Sequence, residues 1–356
     1  MIVKMKILKK IIQLNLVAIM IFTLTNNSQI NTYANTNLNP SSKNAINVAV
    51  FFFKFDDPFM SLVKQSLENI QQKNEKEVNF TFYDGKGNRA IQDENIDSAL
   101  KENYDVLLVN LPDTRESVVT DIVNKAKQKN KPLVFFDAVP LVIPPIVKTY
   151  NKVIFVATDA KQSGILQGQI LVNLWNTDKS ILDKNNDNIL EYVMLQGERD
   201  CTSALAQTKY SISTINDAGI STKELEFEVP NWDRETAKNI VDALFLRFDD
   251  KIEAIISNND VMALGAIDAL QKYGYNKGDK SKYIAVVGID GIPEARDLVD
   301  KGIMAGTVVR DPNELAQALY AVGKNLANNV DPLDNTNYKF DESGNTIRLP
   351  YYEYKK

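Results

Sequence analysis

Short apolar runs that alternate with amphipathic stretches, through two successive rounds, constrain this chain more than any other feature. Val48-Ala49-Val50-Phe51-Phe52-Phe53 is apolar throughout, and a helical pattern follows at 60–72. Further apolar runs stand at 78–83, 106–111 and 133–136, with helical patterns at 91–100 and 114–128 between them. A Pro-rich stretch at 139–147 breaks the rhythm, which restarts with 153–156, 192–195, 225–229, 254–257 and 284–289. Continuous apolar strands separated by helices belong to a parallel sheet covered on both faces. Two rounds predict an α/β chain of two doubly wound parallel-sheet domains, and 356 residues suit two domains.

The bulk chemistry removes several function classes. A net charge of -5 with a pI near 5.1 lacks the basic face that a nucleic-acid binder needs. The absence of His removes histidine triads and imidazole metal sites. A single Cys, Cys201, permits neither an internal disulfide framework nor a thiolate zinc site. At the N-terminus, Lys4, Lys6, Lys9 and Lys10 precede an apolar run at 11–24, and small or polar residues follow to Ala34. That order reads as a secretory signal, cleaved after Thr32-Tyr33-Ala34, or as an uncleaved anchor in 1–34. No Cys follows the run, which excludes a lipid-anchored precursor, and the polar residues 35–45 read as a linker.

In doubly wound sheets, ligands sit beyond the carboxyl ends of the strands. At those ends this chain places Asp57 and Phe59, Asn110, Asn259 in Asn258-Asn259-Asp260, Asp290, and Arg310-Asp311, while Trp232 follows the strand ending near Pro230. Amides and carboxylates pair with hydroxyls, which donate and accept at once, and aromatic faces cover the C–H side of a sugar ring. The alternative for each Asn or Asp is a helix cap. Separately, Asp183-Lys184-Asn185-Asn186-Asp187-Asn188-Ile189-Leu190-Glu191 carries oxygen side chains at places one, three, five and nine, with the Ile189 carbonyl at place seven. That is the ligand order of a calcium loop. Asn188 stands where such loops hold Gly, and Met194 where they hold a closing Glu, so the closing carboxylate must come from elsewhere. The alternative is an Asn/Asp-rich surface turn.

Phe53-Lys54-Phe55-Asp56-Asp57-Pro58-Phe59-Met60, Val156-Ala157-Thr158-Asp159 with Ser163-Gly164, Asn231-Trp232-Asp233, Asn258-Asn259-Asp260 and Val287-Gly288-Ile289-Asp290 resemble the D-galactose/D-glucose-binding proteins of sugar ABC transporters. The likeness spans nearly all of the chain after the signal, and the calcium loop narrows it within the type I periplasmic-binding-protein fold. It implies two lobes joined by a three-strand hinge, lobe one at 46–135 and 310–348 and lobe two at 136–309 and 349–356. It implies Glu253 as the closing calcium ligand beside Asp183, Asn185, Asp187, Ile189 and Glu191. It also implies that Asp57, Asn110, Asn259 and Asp290 bind sugar hydroxyls while Phe59 and Trp232 sandwich the ring. The protein would then act as a monomer without catalysis, delivering its ligand to an ABC permease.

Four positions depart from that pattern. Cys201, Ser203 and Gln207 stand where the family places His, Asp and Arg, and Arg310 where it places Asn. Neutral Ser and Gln cannot replace the ionic hydrogen bonds of an Asp–Arg pair, so free galactose or glucose is not the natural expectation. Smaller side chains make room for an aglycone, which suggests a galactoside or oligosaccharide. Arg310 offers a fork for the carboxylate of an acidic sugar. Alternatively, Arg310 pairs with Asp290 or Asp57 and spoils the pocket. A further alternative in the family is a sensor that presents its loaded lobes to a receptor or sensor histidine kinase, for which an uncleaved anchor would be apt. Gly85-Lys86-Gly87-Asn88-Arg89-Ala90 imitates a dinucleotide fingerprint but follows the second strand and reads as a turn. Asp57 and Asp290 imitate a glycosidase pair, and Cys201 lacks the His that would activate it.

Overall fold

In the computed structural model, which describes residues 45–111, 113–140 and 142–355, each apolar run from residue 48 onward falls on a strand paired in parallel within a sheet. The expected signal or anchor at 1–34, and the linker apart from Ala45, lie outside the described residues. The first lobe begins β1 (Ile46–Phe52), α1 (Pro58–Lys73), β2 (Val78–Asp84), α2 (Arg89–Ala99), β3 (Val106–Asn110) and α3 (Glu116–Gln128). It continues with β4 (Leu133–Asp137), α4 (Pro145–Thr149) and β5 (Val153–Thr158). The second holds α5 (Ala160–Thr177), β6 (Ile189–Leu195), α6 (Thr202–Asp217), β7 (Ser221–Glu228), α7 (Arg234–Phe248), β8 (Ala254–Ser257), α8 (Asp260–Lys272), β9 (Ala285–Asp290), α9 (Pro293–Asp300) and β10 (Gly306–Val309). The chain then returns as α10 (Pro312–Ala327) and β11 (Thr346–Leu349) before ending in β12 (Tyr352–Lys355).

The strand order is β11-β5-β4-β3-β1-β2 in one sheet and β12-β10-β9-β8-β6-β7 in the other. All pairs are parallel except β12, which runs antiparallel to β10 at the edge. Central strands are buried on both faces: Val106, Leu107, Leu108 and Val109 are fully inaccessible. Helices turn one apolar stripe inward. In α1 that stripe is Phe59, Met60, Val63, Leu67 and Ile70, and Pro58 opens the helix at a position where its missing N–H is no loss.

The expected lobe boundary at residue 136 is corrected by β5. Leu133–Asp137 pairs with Val153–Ala157, so the Pro-rich stretch is a loop carrying the short α4 between two neighbouring strands of lobe one. Pro140, Pro144 and Pro145 cannot extend a ladder, and the apparent break in rhythm is local. Lobe one is therefore 45–158 with 312–349, and lobe two 160–309 with 352–355. The three crossovers pass through Asp159, through Arg310-Asp311 and through Pro350-Tyr351.

Close approaches at glycine shape the lobe-two wall of the cleft. A Cβ at Gly164 would lie 2.8 Å from the Gln207 carbonyl oxygen, and one at Gly168 only 2.4 Å from that of Ser211. Those glycines let α5 and α6 touch backbone to backbone, which fixes the height of Gln207. A Cβ at Gly197 would fall 2.1 Å from the Trp232 ring, so the indole lies directly on that glycine.

Candidate functional site

Between the lobes lies a cavity of about 440 Å³, within the range of small-molecule sites. Asp57, Asn110, Trp232, Asn259, Asp290, Arg310, Cys201, Ser203 and Gln207 all line it, so nine of the ten expected residues converge. Several are also helix caps. Asp57 Oδ1 accepts from Met60 N at 2.8 Å and Asn259 Oδ1 from Met262 N at 2.9 Å. Capping contributes about 1 kcal/mol and leaves the second carboxylate oxygen of Asp57 for the cavity. Trp232 is carried by a loop in which Asn231 and Trp232 have φ of 56° and 63°. Two consecutive non-glycine residues in that region cost on the order of 1–3 kcal/mol each, a strain that aims the indole into the cleft.

Phe59 is the exception and corrects the expected sandwich. It is 2% exposed, does not line the cavity, and its ring lies 3.6 Å from the Arg310 guanidinium. The guanidinium occupies the aromatic face that a sugar was expected to cover. Arg310 Nε donates to Asp290 Oδ1 at 2.7 Å and Nη1 donates to Asp137 Oδ1. Asn110 joins this group, its Nδ2 donating to Asp137 Oδ2 at 3.3 Å while its Oδ1 accepts from Phe53 N at 3.2 Å. Since Asp137 ends β4 in lobe one and Asp290 ends β9 in lobe two, Arg310 clasps the two lobes together.

The electrostatics follow from one guanidinium among Asp57, Asp137 and Asp290. Burial opposes the Arg310 charge, but Asp290 and Asp137 more than restore it and hold the group above its ordinary range. Burial pushes Asp290 up to about 7; Arg310 pulls it down, and Asp57 and Asp137 add to the rise. Burial likewise raises Asp57, against the pull of the Met60 N–H. Burial raises the Cys201 thiol too, away from the thiolate a nucleophile needs. Asp57 and Asp290, the imitation glycosidase pair, are engaged as cap and clasp.

Sequence reasoning missed Asp137 and Tyr351. Asp137 obeys the same strand-end rule but lies one residue beyond the apolar run at 133–136; its φ of 84° turns it into the cleft. Tyr351 sits in the third crossover, where its hydroxyl accepts from Thr158 Oγ1 at 2.7 Å. Asn258 was visible in its motif without a role. Its Oδ1 accepts from Gly197 N at 3.1 Å and from Thr208 Oγ1 at 3.3 Å, leaving Nδ2 buried without a partner among the described residues. Gln207 Oε1 is buried and unpartnered in the same sense.

In the Asp183–Glu191 loop, Asn186 and Asn188 take the left-handed turns, with φ of 58° and 64°. Asp183, Glu191 and Glu253 are all buried. Glu253, the closing residue that the resemblance implied, reaches the loop, accepting from Lys184 N at 2.7 Å and Glu191 N at 2.9 Å. Lys179 Nζ lies 2.8 Å from Asp183 Oδ2 and Lys223 Nζ 2.6 Å from Glu191 Oε1. Asn185 and Asp187 bond within the loop. Among the described residues no three or more Asp, Glu, Cys or His side chains converge as a metal site. The donors fit a hard cation in kind, being oxygens throughout with three buried carboxylates. To coordinate one, the exposed Lys179 and Lys223 ends would have to withdraw.

Residues 48–330 match the family model described as a periplasmic binding protein domain. The D-galactose/methyl-galactoside binding periplasmic protein MglB of Haemophilus influenzae is 33% identical over 305 residues, covering 85% of this chain and 88% of that protein. The ribose import binding protein RbsB of Escherichia coli is 23% identical over 269 residues, covering 75% and 80%. A solute binding protein of an ABC transporter from Bacillus halodurans, solved with myo-inositol, superposes with a TM-score of 0.69 at 22% identity, covering 87% of this chain and 94% of that one. At that identity the last likeness speaks for the fold. With the family model spanning most of the chain and a relative of a third identity along nearly all of it, the protein belongs to the periplasmic binding proteins, in the group that includes the galactose-binding protein of Haemophilus influenzae.

Proposed function

We propose that this protein is an exported sugar-binding protein that holds a hexose-type ligand, galactose-like or a substituted galactoside, between its lobes and delivers it to an ABC transporter. The observation that carries this reading is the cavity to which both lobes contribute, walled by Trp232, Asp57, Asn110, Asn259 and Gln207. A ligand that touches both lobes at once stabilises their closed arrangement, and closure is what a membrane partner reads. The Haemophilus influenzae relative, a D-galactose/methyl-galactoside binding protein, supports galactose as the parent ligand. An acidic sugar loses its ground, because two Arg310 nitrogens are already committed to Asp290 and Asp137. The Arg310–Asp290 pair that the spoiled-pocket alternative supposed is present, and the cavity of about 440 Å³ that stays open beside it supports a working site.

Titration calorimetry with D-galactose, D-glucose, methyl β-D-galactoside, lactose and galacturonate tests the reading. A neutral galactosyl sugar should bind; galacturonate alone, or nothing in the panel, would overturn it. A second reading, a sensor subunit held at the membrane, rests on the apolar run 11–24. No described helix is long and apolar enough to cross a membrane, so the N-terminus decides. Mass spectrometry of the native protein showing a start near Asn35 would favour the free binder, and a retained run the anchored sensor.

The oxygen-rich loop is best read as a calcium site that stiffens lobe two without touching the sugar. Calcium at a hundredfold over its dissociation constant would add about 2.7 kcal/mol, and a chelator should remove it. Glu253→Gln weakens the loop in any buffer, because Glu253 anchors two backbone N–H groups. The telling quantity is therefore the drop in melting temperature on chelation: clear in the wild type and absent in the variant, with sugar affinity unchanged. An equal drop in both proteins would remove Glu253 from the site.

A further inference from the structure

A second cavity, of about 480 Å³, adjoins the first on the side of the opening crossover. The two share Asp137, Ala138, Thr158, Ala160 and Ser203, so they are two chambers of one cleft. Three of those five carry side chains no larger than serine, and the joint is correspondingly open. Beyond it, Val139, Pro140 and Ala206 supply the apolar part of the second chamber, and the rest of its wall is polar and charged, with Lys161, Asp341, Glu342 and Arg348 on it. Thr202 Oγ1 of lobe two donates to the Val139 carbonyl of lobe one at 3.1 Å, tying the lobes together beside it.

Polar groups are distributed unevenly between the joint and the first chamber. Cys201 Sγ and Ser203 Oγ lie 3.1 Å apart and share one hydrogen bond. Arg310 and Asn110 satisfy Asp137. No side chain shared by the two chambers keeps a buried polar atom without a partner among the described residues, so nothing at the joint requires a ligand hydroxyl. An ether oxygen, which only accepts and accepts weakly, would lose little. Gln207 and Asn258 line the first chamber only, and their Oε1 and Nδ2 are buried and without partners among the described residues. A buried unsatisfied amide costs about 1–3 kcal/mol until something bonds it, and a hydroxyl can answer an acceptor and a donor together.

We infer that the ligand is a neutral two-ring glycoside. Its hydroxyl-bearing ring lies in the first chamber on Trp232, Gln207 and Asn258, its glycosidic oxygen passes the joint at Ser203, and its second ring covers the apolar wall of Val139, Pro140 and Ala206. This rests on the sugar-binding reading and adds the ligand's size and the direction in which it extends.

Calorimetry on the full chain with methyl β-D-galactoside and with β-linked and α-linked galactosyl disaccharides tests it. Ala206 lines only the second chamber, and Ala206→Phe fills it from α6; Val139→Phe fills it from lobe one, should the first variant fail to melt cooperatively. A disaccharide should bind the wild type at least tenfold tighter than the methyl galactoside. Either variant should erase that advantage while changing methyl galactoside affinity less than twofold. If methyl galactoside binds as well as every disaccharide, or if both filled variants keep the advantage, the two-chamber inference is overturned and the sugar-binding reading stands. Silence of the wild type toward all these sugars would overturn both.

Discussion

On the Arg310 side of the cleft, Asp137, Asp290 and Asn110 all find partners inside the protein, and even the face of Phe59 is covered. On the α6 side, Gln207 and Asn258 each keep a buried amide atom with none among the described residues. The charged residues thus sit where the chain needs them least for a ligand, and the neutral amides where a ligand would be most felt. In a pocket of low dielectric, an ion pair already formed offers little to an incoming hydroxyl, while an unpaired amide gains a full hydrogen bond. The difference teaches that charge in this cleft holds the lobes, and that recognition falls to neutral groups and Trp232.

The largest effect should come from breaking the satisfied side. Arg310→Ala leaves Asp137 and Asp290 facing each other and Asp57 without their counter-charge, and removing one partner of a buried pair costs about 3–5 kcal/mol. Chemical denaturation at pH 8 should show that loss, and at pH 5, where Asp290 can hold a proton, part of it should return. An unchanged unfolding midpoint at pH 8 would mean that the clasp does not hold the lobes.

The unsatisfied side should respond the other way. Gln207→Leu removes a buried atom that bonds nothing, so stability should hold or rise slightly, while ligand affinity falls by roughly fivefold to a hundredfold, the equivalent of about 1–3 kcal/mol. Calorimetry and a melt on the same sample read both. Lost stability with intact affinity would reverse the comparison between the two sides.

These contrasts also mark how far the sequence could be read. Strand ends were legible because burial on both faces forces continuous apolar runs, which is why six of the nine cavity residues could be named from residue type and position alone, whereas Cys201, Ser203 and Gln207 were named only through the family resemblance. Asp137 escaped only because the apolar run stops one residue before the strand does. The β4–α4–β5 return escaped because prolines signal a break in local structure without saying which sheet the chain rejoins. Phe59 was misread for another reason: whether an aromatic face is free depends on what else reaches it, and Arg310 lies 251 positions further along the chain. The orphaned atoms of Gln207 and Asn258 are invisible in a sequence, since an unpaired group is defined by the absence of neighbours in space.

The smallest expected effect probes the boundary between the two sides, at Asp57. Asp57→Asn keeps the cap on Met60 N, because Asn caps as well as Asp does, and removes one of the carboxylates that raise Asp290. The folded value for Asp290, about 7 against an ordinary 3.8, means that the native protein binds more protons than the unfolded chain between those limits. That contribution to stability is fully present below pH 4, shrinks as pH rises through the window and is gone above about 7. Without Asp57 the top of the window should move down, so the melting temperature should fall less between pH 6 and pH 8 in the variant than in the wild type. Asp57 leaves with the substitution, and because burial raises its carboxyl too, its loss flattens the variant's curve in the same direction. Parallel curves would show that Asp57 and Asp290 do not sense each other, and the charge-balanced clasp would reduce to Arg310, Asp137 and Asp290.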